Sequence, residues 1–115
     1  MTERKPEVIQ ARKRDGSVVR VVVPASRLDV EQQPDIPAST LALLAFSTVK
    51  DGVRRWSDFT RSTLLTLERS YGDAVLRSTL CALLDDIAGG FRPSNPVGLF
   101  IHRVRATANS TELSI

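Results

Sequence analysis

The sequence predicts a mainly α protein: a compact four-helix domain preceded by an N-terminal β-hairpin arm. Three patterns lead there. Apolar residues recur at helical spacing in four stretches between residues 39 and 109. Asp51-Gly52, Gly72 and Gly89-Gly90 separate those stretches as stop signals. Ahead of them, residues 7–23 alternate in strand fashion about Asp15-Gly16.

The arm comes first. Residues 1–30 form a basic segment, and EVIQARKR and SVVRVVV flank an Asp-Gly step that favours a type I′ turn. A two-residue loop pairs Arg14 with Ser17, Arg12 with Val19, Gln10 with Val21 and Val8 with Val23. Each face of such a ribbon is apolar near its base and basic toward its tip. An isolated two-stranded ribbon is marginal in water, so it must pack on the body, pair with another chain or clamp a ligand. Pro24 ends the second strand, and the proline-punctuated residues 31–38 read as a linker.

The helical domain is expected over residues 39–109. Ser39 is placed to cap a first helix running to Lys50, with Leu41, Leu44 and Ala45 on its buried face. Ser57 caps a second, with Phe59, Thr63, Leu64 and Leu67 as its apolar positions. Trp56 precedes that cap and is expected in the core. Left exposed beside Arg54 and Arg55, it would be placed instead to stack on a base or a partner. Asp73 caps a third helix with Val75, Leu76, Leu80, Leu83, Leu84 and Ile87 in register. Asn95 with Pro96 at the first helical position opens the fourth, which buries Val97, Phe100, Ile101 and Val104. Residues 110–115 read as a frayed tail.

Charge is unevenly distributed. Residues 1–30 hold seven Lys or Arg against four acids, whereas residues 31–115 hold nine of each, so the whole excess of +3 lies in the arm. A basic arm beside a neutral body points to a polyanionic partner; a solvated surface is the plainer alternative. The longest purely apolar run, Leu41 to Phe46, is too short to cross a bilayer, so no membrane partner is expected. One cysteine, Cys81, permits no internal disulfide and suits a reducing compartment, so a cytoplasmic location is the expectation. On its helix, Cys81 reads as a small buried hydrophobe.

The chain carries no catalytic signature. Its single histidine, His102, has no metal-ligand spacing around it, and no Gly-rich phosphate loop or nucleophile elbow is present. Adjacent Asp85 and Asp86 diverge on a helix rather than forming a two-carboxylate site. No enzyme, metal or cofactor is therefore expected. The candidate nucleic-acid-binding residues are Arg12, Lys13, Arg14 and Arg20 on the hairpin, and Arg92, His102, Arg103 and Arg105 around the last loop and helix. Basic residues can line a phosphate backbone, although bases near a helix C-terminus also complement the helix dipole without any ligand.

Tyr71-Gly72, Val75, Leu80 and Leu84, then Asn95-Pro96, Phe100, Val104 and Arg105, form an order of helix, Asn-Pro loop and basic helix spanning about forty residues. It resembles the C-terminal helical module of DnaD-type primosomal proteins and of some plasmid and phage replication proteins. That resemblance implies a role near replication or DNA handling, by binding rather than chemistry. The expected function is thus a non-enzymatic nucleic-acid-binding accessory protein, with DNA as its partner. The alternative is a protein–protein interaction module, an adaptor or small inhibitor, whose valine-rich strand mediates homodimerisation or partner binding.

Overall fold

The computed structural model describes residues 7–12 and 15–113, with side chains at 7–10 and 15–107. The chain is mainly helical with an N-terminal two-stranded hairpin. Among the described residues there are five helices rather than four, and a second hairpin. In order, these are β1 (Val8–Arg12), β2 (Val18–Val22), α1 (Arg27–Glu31), α2 (Ala38–Ala45), β3 (Thr48–Lys50), β4 (Val53–Arg55), α3 (Asp58–Tyr71), α4 (Asp73–Ala88) and α5 (Pro96–Leu113). Helix α4 is central: α1, α2, α3 and α5 all pack against it.

The first hairpin forms where expected, but its register is shifted by one residue. Val8 pairs with Val22, Ile9 with Val21, Gln10 with Arg20 and Arg12 with Val18. A type I′ turn over Asp15-Gly16 would set Arg12 opposite Val19, whereas Arg12 pairs with Val18; Gly16 has positive φ (90°). Asp15 Oδ1 instead accepts hydrogen bonds from the Ser17 backbone N–H and hydroxyl, an Asx-type turn. Packing explains the choice of register. A one-residue slip re-sorts every side chain. The observed pairing gathers Ile9, Val19, Val21 and Val23 on one face, which docks on the core with Val21 fully buried. Val8, Gln10, Val18 and Arg20 face solvent. The ribbon is amphipathic across its faces, not along its length.

Residues 24–38 do more than connect. Val30 and Ile36 enter the core. The Gln33 side chain lies along the outer edge of β2: its Oε1 accepts the Val22 N–H (2.8 Å) and its Nε2 donates to Val22 O (3.0 Å) and Asp29 O (2.9 Å). It thus stands in for one residue of a third strand. The Arg77 guanidinium on α4 donates to the carbonyls of Val30 (3.2 Å), Gln33 (3.2 Å) and Ile36 (2.5 Å), and pairs with Asp73 (3.1 Å). Arg27 and Asp85 tie α1 to α4 at 2.7 Å.

Two cap assignments need correction. Helix α2 starts at Ala38 after Pro37, so Ser39 is inside it; buried there, its hydroxyl donates to Glu68. The open N–H of Ala38 is taken by Asp73 Oδ1 (2.7 Å), from a different helix. Asp73 is the first residue of α4, and Gly72 (φ 90°) both ends α3 and caps α4. The Ser57 and Asn95 caps form as expected, accepting from Thr60 N and Gly98 N. A Cβ at Gly98 would lie 2.6 Å from Asn95 Nδ2, so glycine there belongs to the cap. Helix α5 continues to Leu113, into the stretch expected to fray.

The core is aliphatic, built on Leu41, Leu64, Leu76, Leu80 and Leu83 with Val21, Val30 and Val104. One aromatic pair, Phe46 with Phe100 (centroids 5.6 Å apart), joins the end of α2 to α5.

Replacing Arg77 with Met keeps its aliphatic packing but leaves three carbonyls without their donor. Urea denaturation is expected to show a loss of about 2–3 kcal/mol, the range for charged hydrogen bonds to partly buried groups. A change under about 0.5 kcal/mol, the size of an ordinary surface substitution, would show that the network contributes little.

Candidate nucleic-acid interface

The second hairpin alters the surface most. Residues 48–55, expected to hold the end of a helix and its stop, form a ribbon instead. Thr48 pairs with Arg55, Val49 with Arg54 and Lys50 with Val53. Asp51 (φ 55°) and Gly52 (φ 76°) both have positive φ, as a type I′ turn requires. Opposed residues share a face, so Thr48, Lys50, Val53 and Arg55 form one side, and all four are exposed. Arg54 lies on the other side and anchors the ribbon. Its Nη1 donates to Leu44 O (3.3 Å) and Ser47 Oγ (2.6 Å), and its Nη2 pairs with Glu7. Its buried Nε has no partner among the described residues. The Glu7–Arg54 pair joins the root of the first hairpin to the second. A cleft of about 870 Å³ lies at that junction, with Val23, Phe46, Leu84, Ile87 and Pro96 among its walls.

Trp56, expected in the core, is not there. It follows β4 directly and is 41% exposed. Phe59 is 77% exposed. The inward stripe of α3 runs through Thr60, Leu64, Leu67 and Tyr71, and Phe59 sits about 100° around the helix from it.

The sequence-nominated bases separate into distinct groups. Arg20 is exposed on the outer face of the first hairpin. Arg12 pairs with Val18 in the ladder, but its side chain lies outside the described residues, as do Lys13 and Arg14 altogether. Arg92 donates to the carbonyls of Ile87 and Phe91, closing the C-terminus of α4. Arg103 pairs with Asp86 (2.7 Å) and lies over the Phe91 ring, 6.0 Å from its centroid. These two are occupied within the helical body. His102 and Arg105 are exposed on α5.

The chain matches no protein-family model, no curated protein and no solved structure.

Among the described residues, the lysines and arginines with no hydrogen bond or ion pair are Arg20, Lys50, Arg55, Arg61, Arg69 and Arg105. Three of the six stand on the hairpins, and Arg61 follows in the first turns of α3. Sequence reasoning offers Trp56 beside Arg55 only as the alternative to a core position, and does not single out Lys50, Phe59 or Arg61. A signal for their support is nonetheless present: TVK-DG-VRR is a short strand alternation around the strongest hairpin dipeptide.

No group of three or more His, Cys, Asp or Glu among the described residues is placed to hold a metal ion. No helix among them is long and apolar enough to cross a membrane. Cys81 is buried, as expected from its helix position. Burial pushes its thiol pKa up, with the Arg27 charge opposing to a smaller extent. The Arg27 guanidinium holds its proton more tightly through its hydrogen bond to Asp85.

The folded chain keeps the Cys81 thiol protonated to higher pH than the unfolded chain does. Stability from this source is therefore complete below the ordinary thiol range and is lost as pH rises through it. Urea midpoints of the natural chain are expected to fall more steeply above about pH 8.5 than those of Cys81→Ala. Parallel pH profiles would show that the thiol is not desolvated.

Proposed function

We propose that this chain is a non-enzymatic nucleic-acid-binding accessory protein whose two hairpins contact phosphates. One observation carries the reading. Arg27, Arg77 and Arg103 of the helices are held by carboxylates or carbonyls and Arg61, Arg69 and Arg105 are not, while Arg20, Lys50 and Arg55 stand exposed on the ribbons with no partner among the described residues. A base that makes no internal contact keeps its whole charge for an external anion. Two ribbons joined at their roots by Glu7 and Arg54 set several such charges on one support. Helix α5 contributes Arg105 and His102 at a second exposed surface. The resemblance to the helical module of DnaD-type proteins supports a setting near replication, of plasmid or phage kind.

Binding of this sort is electrostatic and independent of sequence. Affinity falls steeply with salt, because each neutralised phosphate releases counterions. Fluorescence anisotropy with a generic labelled duplex is expected to show binding at about 50 mM salt that collapses by about 200 mM. The triple variant Arg20→Ala, Lys50→Ala, Arg55→Ala is expected to lower the slope of log K against log salt by about 2–3, close to one for each phosphate left without its base. No binding at low salt, or an unchanged slope in the triple variant, would remove the proposal.

A second reading has its own observation. Val8 and Val18 are exposed on the outer face of the first hairpin, Val18 to 58%. Burial of that face in a second copy would make the chain a homodimer. Light scattering is then expected to give twice the chain mass, reverting to a monomer in Val18→Lys; a monomeric mass for the natural chain excludes this reading.

A further inference from the structure

We infer that the nucleic acid bound by the second hairpin is single-stranded, its unpaired bases stacking on Trp56 and Phe59. This rests on the nucleic-acid reading above and narrows it to a substrate class. The chain has only six aromatic residues. Phe46 and Phe100 are used in the core and Tyr71 is half-buried against it. Phe91, 42% exposed, already has the Arg103 guanidinium over its ring, 6.0 Å from the centroid. Trp56 and Phe59 are the two that remain, exposed and unstacked, and they lie three residues apart where the basic ribbon meets α3.

Charge complementarity selects the occupant. Lys50 and Arg55 share the exposed face of the ribbon, and Arg61 lies two residues beyond Phe59, all without partners among the described residues. Asp58, in the first turn of α3, complements the helix dipole and makes no ion pair among the described residues. Cations interleaved with open aromatic faces suit a strand that offers phosphates and bare base faces together. A duplex hides its base faces within the stack. It would satisfy Lys50 and Arg55 but leave both rings in water. An anionic lipid surface would also accept rings and charges, and the test separates it.

Trp56 is the only tryptophan, so its emission reports this surface directly. The natural chain should be titrated with oligo(dT), with a duplex of equal length and with vesicles containing anionic lipid. Quenching by oligo(dT) is expected, with affinity at least about tenfold above that for the duplex. Trp56→Ala and Phe59→Ala are each expected to weaken oligo(dT) binding about five- to hundredfold while leaving duplex binding unchanged. Trp56→Phe, which keeps a ring, is expected to retain most of the affinity. If the duplex binds and oligo(dT) neither quenches Trp56 nor responds to these variants, the stacking inference falls and the phosphate reading stands. If neither nucleic acid binds, both fall. Quenching by vesicles alone would overturn both in favour of a lipid surface.

Discussion

The architecture depends on the carboxylate–guanidinium pair of Asp73 and Arg77, one turn apart on α4. Asp73 gives its other oxygen to the first N–H of α2. Arg77 spreads its remaining donors over three carbonyls of the segment between the first hairpin and α2. That segment holds Gln33, and Gln33 grips the edge of β2. A single helix turn thereby positions the next helix, the connecting segment and the arm. Arginine suits this place because its planar fork can serve several acceptors at once, which a lysine ammonium on a flexible stem does less well. It also explains how a proline-rich polar stretch can be well placed with little regular structure. Its carbonyls are satisfied from outside rather than by its own ladder.

The two Asp-Gly steps mark where local signals suffice and where they do not. At Asp51-Gly52 the dipeptide makes the two-residue turn it favours. Residues 41–50 nonetheless read as a helix, because apolar spacing in LALLAFSTVK continues past Ala45 into Thr48 and Val49. The β-branched pair and the alternation after Gly52 carry the correct answer. At Asp15-Gly16 the same dipeptide points to the same turn, but tertiary packing prevails. Burying four aliphatic side chains on one face outweighs the preference of two turn residues. Hydrophobic pattern sets strand register when one face is buried, and here that face can be recognised only once a body is present to bury it. Of the longer elements, α3 and α5 are legible because caps and stripes agree, and α4 from its stripe alone. Ser39 and Asp73 mislead because a capping side chain need not come from the same helix.

The candidate site is less legible than the fold, for a physical reason. A sequence lists charges but does not pair them. Arg92 and Arg103 look equivalent to Arg20 along the chain, yet one closes a helix end and the other meets Asp86. Which arginine is occupied depends on carboxylates and carbonyls distant in sequence: Asp85 lies 58 residues from Arg27. For Trp56 the sequence favours a core position over the exposed alternative through the same gap, since its exposure follows from a hairpin that displaces a helix.

The clamp at Gln33 has a further consequence for the chain as it is made. The run Val18–Val23 combines high strand propensity with a single charge, the composition that pairs readily with copies of itself. In the finished protein its inner face is buried and its edge at Val22 is occupied. Both covers are supplied by residues that follow it: Gln33 at its edge, and the core cluster of later residues on its inner face. During synthesis the ribbon therefore emerges well before its shelter. Arg20, the one charge in the run, works against pairing with neighbouring nascent ribbons until the helices arrive.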